Sequence, residues 1–244
     1  MQSDIDIYAQ ELQTLIDSSG KTVFFGGAGV STESGIPDFR SRDGLYSEKY
    51  GDLPPETIIS RTYFEEHPDR FYDFFRDKML YPRARPNAAH KKLAELEACG
   101  KLSCVITQNI DGLHQSAGSR RVYELHGTVH RGRCVKCSRS YGDEYLRMGH
   151  VPKCVCGGVI SPAVVLYEDP LDTDVCSAAI GEIAHAELLI VAGTSLTVYP
   201  AAGFLQYFRG NEMVLINRGP TPCDRVAGKV YHCSVGELLS KIKA

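Results

Sequence analysis

Short apolar runs and one-sided helical patterns alternate along most of this chain. Residues 3–18 place Tyr8, Leu12, Leu15 and Ile16 on one helical face, and Ser18-Ser19-Gly20 ends that helix. Thr22-Val23-Phe24-Phe25 reads as a buried strand. A second helix starts at Pro86-Asn87, carries Ala89, Leu93 and Leu96 on its face, and stops at Gly100. Strands follow at 102–107 and 122–125, and again at 188–191 and 213–216, with a helix at 201–208 between the last two. Val235, Leu238, Leu239 and Ile242 mark a last amphipathic helix. Strands alternating with helices predict an α/β fold, a parallel sheet covered by helices on both faces.

Two stretches break this rhythm. Residues 41–86 carry prolines at 54, 55, 68, 82 and 86 and a run of aromatics that includes Tyr63, Phe64, Phe71, Tyr72, Phe74 and Phe75. They predict a helical insertion of short helices around an aromatic cluster, which serves either as core or as the lining of a substrate groove. Residues 130–160 are rich in Cys, Gly, Arg and Lys with little periodicity, the composition of a metal-held module.

Composition narrows the function. The chain has 244 residues and a net charge of −3, which argues against a general nucleic-acid binder. It lacks an apolar run of about 18 residues, so no membrane span is expected. Its first residues lack a basic stretch followed by an apolar core, so a cytoplasmic protein is expected. Four of the nine cysteines cluster as Cys134-x2-Cys137 and Cys154-x-Cys156. Two close pairs suit tetrahedral thiolate zinc, and four protein ligands leave no position for water, so one structural zinc is expected. Four unliganded thiols are the alternative. The other five cysteines are expected to be reduced.

The chemistry concentrates at strand ends. Strand 22–25 breaks into Gly-Gly-Ala-Gly-Val-Ser-Thr-Glu-Ser-Gly-Ile-Pro-Asp-Phe-Arg at 26–40. Glycines after a strand let the backbone approach a phosphate, and a following helix start offers free N–H groups. Gly27-x-Gly29 opens a dinucleotide fingerprint whose third glycine would fall at Thr32. Three more strands end in hydrogen-bonding residues: Thr107-Gln108-Asn109-Ile110-Asp111, Gly193-Thr194-Ser195 and Asn217. That is what a dinucleotide with two riboses, two phosphates and two bases requires. His126 follows strand 122–125 directly and precedes Gly127, placed to face the same crevice and to exchange a proton near neutral pH.

In the order and spacing of the 27–40 loop, Thr107–Asp111, His126-Gly127, the cysteine pairs, Gly193-Thr194-Ser195 and Val198-Tyr199-Pro200-Ala201, the chain resembles the sirtuins, the NAD-dependent protein-lysine deacylases. The resemblance covers nearly the whole chain. It implies a Rossmann-like large domain from about 1–40, 87–128 and 163–244, and a small domain from about 41–86 (helical) and 129–162 (zinc-binding). NAD and an acyl-lysine protein or peptide would bind between them. The resemblance implies that the loop of Gly27, Ala28 and Gly29, with Thr32, Arg40 and Gln108, meets the NAD phosphates or ribose. Phe39, Ile110 and Asp111 would form the nicotinamide pocket, and Thr194, Ser195, Asn217 and Ser234 would hold the adenosine half. His126 would be the general base, and Asn109 would position water or the ribose. Val165, Leu166 and Tyr167, with Val198 opposite, would close on the peptide as an added strand.

The implied reaction is deacetylation with transfer of the acyl group to ADP-ribose, releasing nicotinamide, free lysine and O-acetyl-ADP-ribose. Protein ADP-ribosylation and removal of longer apolar acyl groups are the alternatives. Two places invite comparison with the family. Tyr167-Glu168-Asp169-Pro170 stands where Phe-Gly-Glu is frequent, which bears on peptide affinity. The Tyr-x-x-Arg associated with acidic acyl groups has its nearest match in Tyr72-Asp73-Phe74-Phe75, and Arg76 lies about 100° away on a helix. An acetyl or apolar acyl group facing Phe75 is therefore expected, on a protein expected to be monomeric.

Overall fold

The structure is a computed structural model that describes residues 4–39, 44–47 and 49–244. Helix α1 (Asp4–Ser18) leads into β1 (Thr22–Gly26), and the chain then enters two short 3-10 turns. Three short helices follow, α2 (Pro55–Ile58), α3 (Arg61–Glu66) and α4 (Pro68–Phe74), with a wider helical turn at Phe75–Met79. Helix α5 (Ala88–Ala98) is capped by Asn87, whose side chain accepts from the Ala89 and His90 N–H groups. It is followed by β2 (Cys104–Thr107), α6 (Leu113–Ala117) and β3 (Val122–Glu124). The cysteine segment contains β4 (Gly127–Cys134), β5 (Ser140–Gly142), α7 (Asp143–Leu146) and β6 (Ile160–Val164). The chain closes with α8 (Thr173–Ala184), β7 (Leu188–Ala192), β8 (Glu212–Ile216), β9 (Lys229–Tyr231) and α9 (Val235–Ser240).

Six strands form one parallel sheet in the order β3-β2-β1-β7-β8-β9. Alternation along the strands divides their side chains between two cores. Phe24, Val105, Ile190 and Val214 pack with α1, α5 and α9 on one face. Val23, Phe25, Ile106, Leu189 and Leu215 pack with α8 and the 3-10 turn Ala201–Tyr207 on the other. The expected parallel sheet with helices on both faces is therefore present. The helix expected at 201–208 forms as a 3-10 turn, and α8 and β9 are additional elements.

A third core joins the two interrupting stretches. Phe64, Phe71, Tyr72, Phe74 and Phe75 pack with Val129, Cys134, Leu146, Cys154 and Ile160. The aromatics of the helical insertion thus bury the face of the antiparallel sheet β5-β4-β6 that carries the cysteines. Tyr72 also donates its hydroxyl to the Ile160 carbonyl. Among the described residues no helix is long and apolar enough to cross a membrane.

Candidate active site and zinc centre

Strand β1 lies between β2 and β7, and the strand order runs away from it in opposite directions. Ligands of open parallel sheets bind at this switch, beyond the carboxyl ends of the strands. Here the ends of β1 and β7 touch: the Gly29 N–H donates to the Gly193 carbonyl at 2.7 Å. A Cβ on Gly29 would stand 2.8 Å from Gly193 Cα, and one on Gly193, whose φ is +59°, would stand 2.5 Å from the Val30 nitrogen. Two bare backbones are needed for this approach. Gly193, just after β7, supplies the second of them.

Beyond this contact lies a cavity of about 460 Å³. It brings together Ala28, Gly29, Phe39, Gln108, Asn109, Ile110 and His126 with Thr194, Ser195 and Asn217 from the far strands. Val165, Leu166, Tyr167 and Val198 form its opposite rim. Asp111 lines a smaller adjoining cavity with Ser31, Ile36 and Pro37, and Phe39, Asn109 and Ile110 line both. Three expected residues lie apart from the cavity walls. Gly27 packs on Thr194, Thr32 donates its hydroxyl to the Gly29 carbonyl at 3.0 Å, and Ser234 caps α9 while donating to Glu33. Arg40 lies outside the described residues.

A buried hydrogen-bond chain fixes the inner wall. The Asn109 amide donates to Ser31 Oγ at 3.0 Å, and Ser31 donates to the Asp111 carboxylate at 2.6 Å. The second Asp111 oxygen accepts from the Leu113 N–H at 2.9 Å. Ser31 is the middle member of this chain and was not among the residues expected at the site. Its signal in the sequence is slight, one small polar residue after a glycine loop.

His126 is placed by β3 on one side and β4 on the other. Its Nδ1 lies 2.9 Å from the Gln108 carbonyl, which can only accept, so the neutral ring carries its proton on Nδ1 and its lone pair on Nε2. Burial pushes its pKa below the ordinary 6.5, and the Gln108 bond opposes that shift without cancelling it. The ring is therefore a neutral base at physiological pH, at the cavity wall.

The rim is tied down from both sides. Val165 N–H donates to the His126 carbonyl at 2.9 Å, and Tyr167 N–H donates to the Ile59 carbonyl at 3.0 Å. The departure at Glu168-Asp169 has a structural purpose. Asp169 takes a two-pronged bond from Arg61 of α3, at 2.8 and 2.7 Å, and Glu168 accepts from the N–H and hydroxyl of Thr62. These acidic residues fasten the rim to the helical insertion.

The expectation that Phe75 faces an acyl group is corrected. Phe75 is fully buried, stacked on Phe71 and edge-on to Tyr72, and the wide turn that follows instead sends Met79 into the cavity. Arg76 points away, donating to the Met148 and His150 carbonyls and pairing with Asp73. None of the described residues lining the larger cavity is a lysine or arginine, and Lys78 lines the smaller one.

The Sγ atoms of Cys134, Cys137, Cys154 and Cys156 all lie within 4.8 Å of one another, with two pairs at 3.5 Å. Tetrahedral zinc with bonds of about 2.3 Å spaces its sulfurs by roughly 3.8 Å. The donor set therefore fits one structural zinc, with no position open to water. The Cys156 N–H and the Tyr141 hydroxyl, 2.9 Å away, both donate to Cys154 and hold its thiol down to about 6.

The model of the Sir2 family matches residues 27–200. An NAD-dependent protein deacetylase of Clostridium acetobutylicum is 50% identical over 236 residues, covering 95% of this chain and 96% of that protein. One of Clostridium perfringens is 50% identical over 98% of this chain and 99% of its own length. Among solved structures, a Sir2 variant with deacetylated p53 peptide and 3′-O-acetyl ADP ribose superposes with a TM-score of 0.88 at 39% identity, covering 95% of this chain and 96% of that one. A Sir2–p53 peptide–NAD+ complex superposes with a TM-score of 0.83 at 40% identity over 94% and 95% of the two chains. Motifs, fold and relatives agree, and the chain belongs to the Sir2 family.

Proposed function

We propose that His126 is the general base, with Asn109 beside it, of an NAD-dependent protein-lysine deacetylase. With NAD and one water as co-reactants, the enzyme transfers the acetyl group of an acetyl-lysine peptide to ADP-ribose and releases nicotinamide, free lysine and O-acetyl-ADP-ribose. The reading rests on one observation above all: His126 is held through Nδ1 with a basic Nε2, between the glycine loop and the Val165–Tyr167 rim.

NAD, when bound, supplies a ribose that becomes an acyl acceptor as its bond to nicotinamide breaks. The residues divide that work. Ala28, Gly29 and Gln108, with Arg40, serve the phosphates and ribose, and Gly27 and Thr32 shape the loop behind them. Thr194, Ser195 and Asn217 serve the adenosine half, and Ser234 supports that end through its cap on α9 and its bond to Glu33. Phe39, Ile110 and Asp111 surround the nicotinamide, and Phe39 also excludes water that would otherwise intercept the activated ribose. His126 accepts the proton of a ribose hydroxyl on Nε2, and Asn109 orients that hydroxyl or a water. Val165, Leu166, Tyr167 and Val198 receive the peptide as an added strand, in which main-chain bonds give affinity. The two domains divide as about 1–40, 87–128 and 163–244 against 41–86 and 129–162. The separate core shared by the helical insertion and the cysteine sheet supports that division.

The apolar wall of Ile59, Met79, Val164 and Leu166, in a cavity lined by no described lysine or arginine, favours acetyl over an acidic acyl group. An unpaired carboxylate carried into such a wall costs about 3 kcal/mol or more. On matched peptides, kcat/KM for acetyl-lysine is expected to exceed that for succinyl-lysine by about a hundredfold or more. Equal turnover of the two would contradict the assignment of this wall.

A further inference from the structure

Seven histidines besides His126 are scattered through the sequence, and one of them reaches the inner wall of the site. His130 lies on β4, the strand that runs from next to His126 to the zinc ligand Cys134. Its Nε2 stands 2.8 Å from the Asp111 carbonyl oxygen, and its Nδ1 faces the Asp143 carboxylate of α7 at 3.6 Å. The carbonyl accepts, so Nε2 donates.

The Cδ2–Nε2 edge of the ring lies against Gly112. A Cβ at Gly112, whose φ is +67°, would stand 2.6 Å from His130 Cδ2. Next to it, the Val129 N–H donates to the Ile110 carbonyl at 3.0 Å. Two successive carbonyls of the Ile110-Asp111 segment are thereby held by β4, and the Asp111 carboxylate is held separately by Ser31 and Leu113 N–H. Every polar group of Asp111 beyond its own N–H is thus fixed, one of them by a side chain from the cysteine sheet.

We propose that His130 is a positioning residue for the nicotinamide end of the site. By holding the Asp111 main chain from β4 it sets where the Asp111 carboxylate stands, and so how tightly nicotinamide binds as product and inhibitor. The proposal rests on the placement of Asp111 in the nicotinamide pocket. Nicotinamide affinity is then set partly from the zinc-bearing sheet.

The test uses the zinc-loaded full chain and its His130→Ala, His130→Gln and Asp111→Asn variants. For each, the nicotinamide inhibition constant and the KM for acetyl-lysine peptide are measured. His130→Ala is expected to weaken nicotinamide inhibition about fivefold, the loss of one net hydrogen bond, with peptide KM unchanged. His130→Gln, whose amide can still donate to the carbonyl, is expected to return the constant to within about twofold of the parent. An unchanged constant in His130→Ala, with a weakened one in Asp111→Asn, would overturn the positioning role alone. An unchanged constant in Asp111→Asn would overturn the nicotinamide-pocket placement and the proposal with it. Equal weakening of nicotinamide and peptide binding in His130→Ala would mean general loosening and would also overturn it.

Discussion

Replacing His126 by alanine is expected to lower kcat by about a thousandfold or more, within the range a positioned general base supplies. NAD affinity, measured calorimetrically, should stay within about twofold, because the side chain is one of many lining the cavity and, among the described residues, its polar bond is to the Gln108 carbonyl. The split matters more than the loss. If both binding and turnover collapsed, His126 would be holding the site together. If turnover survived, the base would lie elsewhere. The pH profile gives a second reading of the same residue. Burial lowers the His126 pKa from its ordinary 6.5, so the basic form is full at neutral pH and is lost as pH falls through the lowered value. The acid limb of kcat/KM is therefore expected below pH 6.5. A limb at or above neutrality would contradict a buried, neutral base.

Removing the zinc is expected to have the second-largest effect. Cys134 and Cys154 belong both to the four-thiol cluster and to the core that holds Tyr72 and Phe75. Structural zinc contributes about 10–16 kcal/mol of apparent binding free energy, which becomes folding free energy where the site is built only in the folded chain. Purified protein should carry about one zinc per chain. Chelation, or Cys154→Ser, should lower the melting midpoint by about 10 °C or more. The loss should first loosen β4 and β6, and through the Val165 bond to the His126 carbonyl it should raise the peptide KM. A metal-free protein with an unchanged midpoint would contradict a structural role for the metal.

The parts legible in the sequence were those with a strong local signal. The apolar runs of β1, β2, β7 and β8 and the faces of α1, α5 and α9 follow directly from periodicity. The cysteine spacing announced its metal because four soft ligands in two close pairs have few other uses. Helix α8 was not read from the sequence, although Val175, Cys176, Ala179, Ile180 and Ile183 form its packed side. Strand β9 has three residues, and its identity as a strand depends on its register with β8.

At the site, residues fixed by local motifs were legible, and residues fixed by tertiary contact were not. The loop from Gly27, the end of β2 and His126 could be read because each follows a strand. Gly193 supplies close approach to Gly29, and that partnership exists only once β1 and β7 are neighbours. Ser31 gains its role from two partners about 80 residues away, at Asn109 and Asp111. The Glu168-Asp169 pair looked like a departure from pattern until Arg61 and Thr62 appeared opposite. Phe75 misled because an aromatic near a substrate tunnel and an aromatic in a core have the same sequence signature. Burial against Phe71 and Tyr72 decides between them.

The central claim is that the chain couples NAD cleavage to acyl transfer from lysine, with His126 as base. The direct measurement is incubation with NAD and an acetyl-lysine peptide, with all products counted by mass spectrometry. The account predicts nicotinamide, deacetylated peptide and O-acetyl-ADP-ribose in equal amounts. Nicotinamide release with the lysine still acetylated and ADP-ribose mass appearing on protein would contradict it.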